Sequence, residues 1–170
     1  MLNRRHLRVK VLQVLYSYSL SENKSVKAFE RNLLDSVDEV YEMYIWLLSL
    51  LIEVSDYTVI DAEERANKFL PTQEDLNASI KLHENKFIKS LRENPEFLSA
   101  VKKYKTSWSF DPEVVRTIFN SLKATDEYQQ YLQQEDSSMR AEKDIIKHIF
   151  KKEILKSPAV EQIFEEKFIN

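Results

Sequence analysis

The chain has 170 residues, 43% of them hydrophobic and 31% charged, enough for about one domain with a proper core. It contains neither cysteine nor glycine, which excludes disulfides, thiolate zinc sites, the phosphate-cradling P-loop, the dinucleotide-binding Gly-x-Gly-x-x-Gly turn and the Gly-x-Ser-x-Gly nucleophile elbow. The formal charge of −3 hides an asymmetry: residues 1–21 carry Arg4, Arg5, Arg8 and Lys10 and no acid, so the other 149 residues hold 21 basic and 28 acidic side chains, a net −7.

The first predicted element is a helix from Leu2 to Ser21, with Asn3 as its N-cap. Arg4 and Arg5 then fall in the first turn, where the helix dipole disfavours positive charge by about 0.3–1 kcal/mol per exposed cation. A helix selected for stability alone would carry Asp or Glu there. At about 100° per residue, Leu7, Val11, Val14, Leu15 and Tyr18 form an apolar stripe; Arg4 points along it, and Arg5 and Arg8 lie along its edge, on the side of Leu12 and Tyr16. The first two turns are therefore expected to overhang the end of the core and to present a guanidinium cluster. Arginine forks bind phosphate bidentately, so the cluster is a candidate phosphate-binding edge. Lys10 and His6 point elsewhere.

A long second helix is expected from about Ser25, with Phe29, Leu33, Val37, Val40, Ile45, Leu48 and Ile52 at helical spacing. It is apolar nearly all round from Tyr44 to Ile52, and either breaks near Ser55 or runs through Ala66 before Leu70-Pro71 ends it. The most apolar run, Met43 to Ile52, is shorter than the ~20 residues a bilayer span needs. Residues 71–79 read as a polar loop, and a third helix as running through Ile80, Phe87, Ile88 and Leu91. Asn94-Pro95, Asp111-Pro112 and Ser157-Pro158 each pair a cap residue with proline at the first helical position, so helices should start near 95, 112 and 158. Thr125 caps another, and Ser137 or Ser138 opens a helix through Ile145, Ile146, Ile149 and Phe150. No segment alternates as a strand. The expected class is all-α, a multi-helix bundle with a long central helix. The organisation read from these elements is an N-terminal helical part, 1–70, followed by additional helices, 71–170, packed as one unit.

The residues that open the chain also resemble a known family. Arg4-Arg5-His6-Leu7-Arg8, then Leu12-Gln13-Val14-Leu15-Tyr16-Ser17-Tyr18-Ser19-Leu20-Ser21, is similar to the first helix of the NusB transcription antitermination factors, which has an arginine-rich segment, Gln-Ala-Leu-Tyr, an aromatic and Leu-Ser. The likeness is close over about 19 residues. Beyond them it holds against the long members of the family, with residues 70–119 resembling their inserted helices. The family's second half, with its Asn-Glu helix and Phe-Val-Asn-Gly ending, is absent, so the resemblance implies the N-terminal part of such a protein. Leu7, Val11 and Val14 are bulkier than the alanines usual there, which implies wider packing of the first helix.

The resemblance implies a cytoplasmic factor that binds boxA-type single-stranded RNA of nascent ribosomal RNA, together with ribosomal protein S10 and the transcription elongation complex. It implies no catalysis, cofactor, small-molecule substrate or membrane. It carries Arg4, Arg5 and Arg8 into the RNA site, and His6 more loosely. A second candidate RNA contact is Lys102, Lys103 and Lys105, interleaved with Tyr104 and Trp108 as in single-strand binders. The competing reading there is a lysine-rich last turn with both aromatics in the core.

The three histidines, His6, His83 and His148, sit far apart in sequence; the Asp144/His148 pair, the adjacent acids Glu63-Glu64, Glu135-Asp136 and Glu165-Glu166, and the Lys143–Lys147–Lys151 face with Glu142 and Asp144 beside it read as solvated surface. No metal site or enzyme chemistry is expected from them. The alternative functional reading is a helical protein-interaction module whose basic helix docks an acidic partner, without specific RNA binding.

Overall fold

Nine α-helices and one π-helical segment make up the computed structural model, which describes residues 4–22, 25–134 and 138–168, and no strand occurs among them. The helices are α1 (Arg4–Leu20), α2 (Val26–Ala66), α3 (Gln73–Leu76), α4 (Lys86–Glu93), α5 (Pro95–Tyr104), α6 (Pro112–Lys123), α7 (Asp126–Gln133), α8 (Met139–His148) and α9 (Pro158–Phe168), with the π-helix Ile149–Ile154 between the last two. The chain is all-α, and its long helix α2 has 41 residues. Two compact units are distinguished, Met1–Tyr44 and Ile45–Asn170.

Unit 1 is a helical hairpin of α1 and the first part of α2. Its seam is thin: Val14, Tyr18, Phe29 and Leu33 are only half-buried, and α1 buries no side chain fully. Tyr18 stands edge-on to Phe29, with ring centroids 5.1 Å apart. The expected cap, Asn3, lies outside the described residues.

Unit 2 holds the core. The second part of α2 contributes Trp46, Leu47, Leu50, Leu51 and Val54, against Trp108, Ile118, Phe119, Leu122, Tyr128 and Ile149. Trp108 is edge-on to Trp46 at 5.3 Å, and its indole N–H donates to the Trp46 carbonyl at 3.2 Å. A smaller cluster packs Ile45 on Phe97 and Ala100. Helix α2 is long and apolar enough, by length and composition alone, to cross a membrane; six of its apolar side chains between Ile45 and Val54 are already covered by protein. It does not break at Ser55, whose hydroxyl donates back to the Ile52 carbonyl at 2.7 Å within an unbroken helix.

Most helix starts follow their cap signals. Asn94, Thr125 and Ser138 each accept a backbone N–H from the first turn, while Asp111 makes no such bond ahead of Pro112. Three expectations are corrected. Residues 71–79 are not all loop: Thr72 and Asp75 form a reciprocal capping box that starts the short α3. The helix expected through Ile80 begins only at Lys86, because the buried Asn85 caps Phe87 and Ile88. The helix expected to run past Ile149 changes to π geometry there.

Candidate nucleic-acid interface

Arg4, Arg5 and Arg8 lie in the first two turns of α1, all exposed. At about 100° per residue, Arg8 falls between Arg4 and Arg5 and the three span one sector of about 100°. None of them makes an ion pair with a carboxylate among the described residues. Helix α1 carries no acid in its first turn. The cluster therefore has what a phosphate-binding edge requires: same-sign charge, forked donors and exposure to solvent. His6 is exposed on the same turns but turned away from the sector, by about 100° from Arg5.

The second basic segment is built differently. Lys102 and Lys103 are exposed in the last turn of α5, and Lys105 caps it in a left-handed conformation, φ 51°. Its aromatics are not presented for base stacking: Trp108 is 1% exposed and Tyr104 packs against the Ile45 cluster. Lys103 lies over the Tyr104 ring, Nζ 4.4 Å from its centroid. These lysines belong to unit 2, the arginines to unit 1.

Two groups expected at the surface, Glu142 and His148, are largely covered, whereas Asp144 is exposed as expected. The Glu142 residue is 4% exposed, and its carboxylate accepts the Lys86 backbone N–H at 2.8 Å. The His148 side chain is 14% exposed, its Nδ1 3.6 Å from Glu127 and its Nε2 3.5 Å from Glu153. A cavity of about 300 Å³ opens beside it, lined by Glu127, Gln130, Tyr131, Gln134 and Asp144 together with Ala141 and Ile145. Asp144 itself pairs with Lys147 and Arg140 on its own helix. His83 is tied at 2.9 Å to Asp56, which also receives Arg92; Arg92 further donates to the His83 carbonyl and to Ser55. Glu135 and Asp136 lie outside the described residues. Among the described residues no group of three or more His, Cys, Asp or Glu side chains is placed to hold a metal ion.

Sequence reasoning also missed the apolar side of the arginine helix. Leu12, Leu15, Tyr16 and Leu20 are each more than half exposed. The signal was readable: the apolar residues of α1 occupy far more than the one face that a two-helix seam can cover.

Compared with protein-family models, with curated proteins and with solved structures, the chain matches none.

Proposed function

We propose that the chain is a transcription antitermination factor of the NusB type, which holds phosphates of boxA-type single-stranded RNA with Arg4, Arg5 and Arg8 and acts with ribosomal protein S10 on the elongation complex. The observation that supports this most is the unneutralised guanidinium sector on an acid-free helix end, in a protein of net negative charge. Electrostatic cost argues the same way, since helix stability favours the opposite sign in that turn. The name of the RNA and of the protein partner comes from the family resemblance of the first 19 residues, and the arginines supply the physical basis for phosphate binding. Sequence choice would have to come from base edges and stacking; the exposed Tyr16 offers a ring at the edge of the same angular sector of the helix, about 12 Å beyond Arg8.

The test compares boxA RNA with a scrambled RNA of equal length at two salt concentrations. Three phosphate contacts give a slope of about −2 in log K against log salt. Replacing Arg4, Arg5 and Arg8 together by Ala should remove most of that slope and weaken binding at low salt by about tenfold or more. Affinity unchanged by the triple substitution sinks the residue assignment. Equal affinity for both RNAs sinks the boxA assignment.

A further inference from the structure

Beside the arginines, unit 1 leaves an apolar groove open along its seam. The groove has a volume of about 380 Å³ between Val11, Leu15 and Tyr18 of α1 and Val26, Phe29 and Leu33 of α2. Glu30 is its one charged lining residue. A second depression of about 310 Å³ shares Val11 and Leu15 with it, extends to Leu7 and Leu12, and is flanked by Arg8. The lining positions recur three and four residues apart on both helices. That spacing makes holes into which the side chains of a third helix fit.

Charge selects the occupant. Arg8 borders the depression, and Arg4 sits one turn before it on the same line of the helix. Glu30 lines the groove on the α2 side; the other acids of this part of α2, Asp35, Asp38, Glu39 and Glu42, fall at about 100° per residue on the side opposite Val26, Leu33 and Val37. These four are therefore turned away from the groove. An RNA strand gains little from the groove itself, because its walls carry no cationic donor for phosphate and its two rings, Tyr18 and Phe29, are half-buried and packed edge-on against each other. We propose that this groove receives an amphipathic α-helix of a partner protein, with its apolar stripe between α1 and α2 and carboxylates at the end that meets Arg4 and Arg8. The proposal goes beyond the RNA reading: it shares Arg4 and Arg8 with it and adds side chains that reading does not use, Leu12 and Leu15. The docked stretch from Leu7 to Tyr18 covers about 16 Å, three turns of helix.

The test is fluorescence anisotropy on the whole chain with a labelled helical peptide of about 16 residues carrying a Leu stripe and Glu at one end, and with the same peptide carrying Lys for Glu. The acidic peptide should bind at least about tenfold more tightly than the basic one at low salt, and the gap should shrink as salt rises. The double variant Leu12→Gln, Leu15→Gln should lose about tenfold or more in peptide affinity while its RNA affinity stays within about twofold. Helicity measured by circular dichroism checks that the variant folds, and the two-peptide comparison stands without it. Equal binding of the two peptides overturns the proposal, as does undiminished peptide binding by the double variant. A concentration-dependent dimer that the double variant dissolves also overturns it, because a second copy then fills the groove.

Discussion

Lys105 turns its backbone left-handed in a chain that has no glycine to place there. The conformation turns the chain so that the next N–H, that of Thr106, donates back to the Val101 carbonyl at 3.1 Å and closes α5, but an L-residue with a Cβ meets about 1–2 kcal/mol of steric cost in it. Glycine relieves that cost and gives back part of the gain through a freer unfolded chain. Lys105→Gly should therefore stabilise by about 0.5–1 kcal/mol, read as a Tm rise of about 1–4 °C. A fall in Tm would mean that the lysine side chain contributes more than the backbone relief. Asp75 makes the opposite kind of contribution. Lys68 and Arg65 each donate to one carboxylate oxygen at 2.9 Å, and the Thr72 N–H donates to the other at 3.1 Å, which holds the carboxyl well below its ordinary 3.8. A carboxylate with a depressed folded pKa stabilises fully above its unfolded value and loses that contribution as pH falls below it. Asp75→Asn should be less stable than the parent at neutral pH, and denaturant titrations should show the deficit narrowing as pH drops below 3.8. A deficit independent of pH would assign Asp75 to shape and capping alone.

At the scale of elements, Asn85 joins two helices. Its Oδ1 caps Phe87 and Ile88, and its amide donates to the Glu142 carbonyl of α8 at 3.2 Å. Asn85→Ala removes a cap worth about 1 kcal/mol and strands buried polar groups at about 1–3 kcal/mol. A total loss of about 2–4 kcal/mol in equilibrium denaturation is expected; a loss below about 0.5 kcal/mol would show that water replaces the amide. This junction explains what sequence could and could not reveal. Asn94-Pro95, Thr125 and Ser138 act on the turn that follows them, so their meaning is local and readable. Asn85 was readable in the same way, yet Ile80 fits the apolar period and pulled the expected start upstream. Glu142 looked solvated because its partner, the Lys86 N–H, is 56 residues away. The π turn at Ile149 has no local marker; the segment packs against α6, which lies more than 25 residues earlier in the chain. The arginine cluster was legible for the reason the caps were: one helix rotation fixes it. The groove beside it needed the second helix.

Across the molecule, burial is unevenly shared. Helix α1 buries no side chain fully, whereas Leu50 and Val54 of α2 are 0% exposed. Amides exchange with solvent through the least costly opening available to them. Those of α1 should exchange through release of the hairpin, and those around Leu50 to Val54 only through unfolding of unit 2. Native-state hydrogen exchange should give opening free energies at least about 2 kcal/mol lower in α1. Equal protection would mean that the hairpin and the core open as one cooperative body. The same measurement reads ligand binding, because a ligand that binds only the closed hairpin adds stability there by mass action, about 2.7 kcal/mol at a hundredfold excess over Kd. Either boxA RNA on Arg4, Arg5 and Arg8 or an acidic helix over Leu12 and Leu15 should slow exchange in α1. In each case the gain should be lost with the side chains assigned to it, the arginines for the first and the leucines for the second. Protection that rises equally in the Leu50–Val54 segment would place the binding surface in unit 2 and remove α1 from both roles.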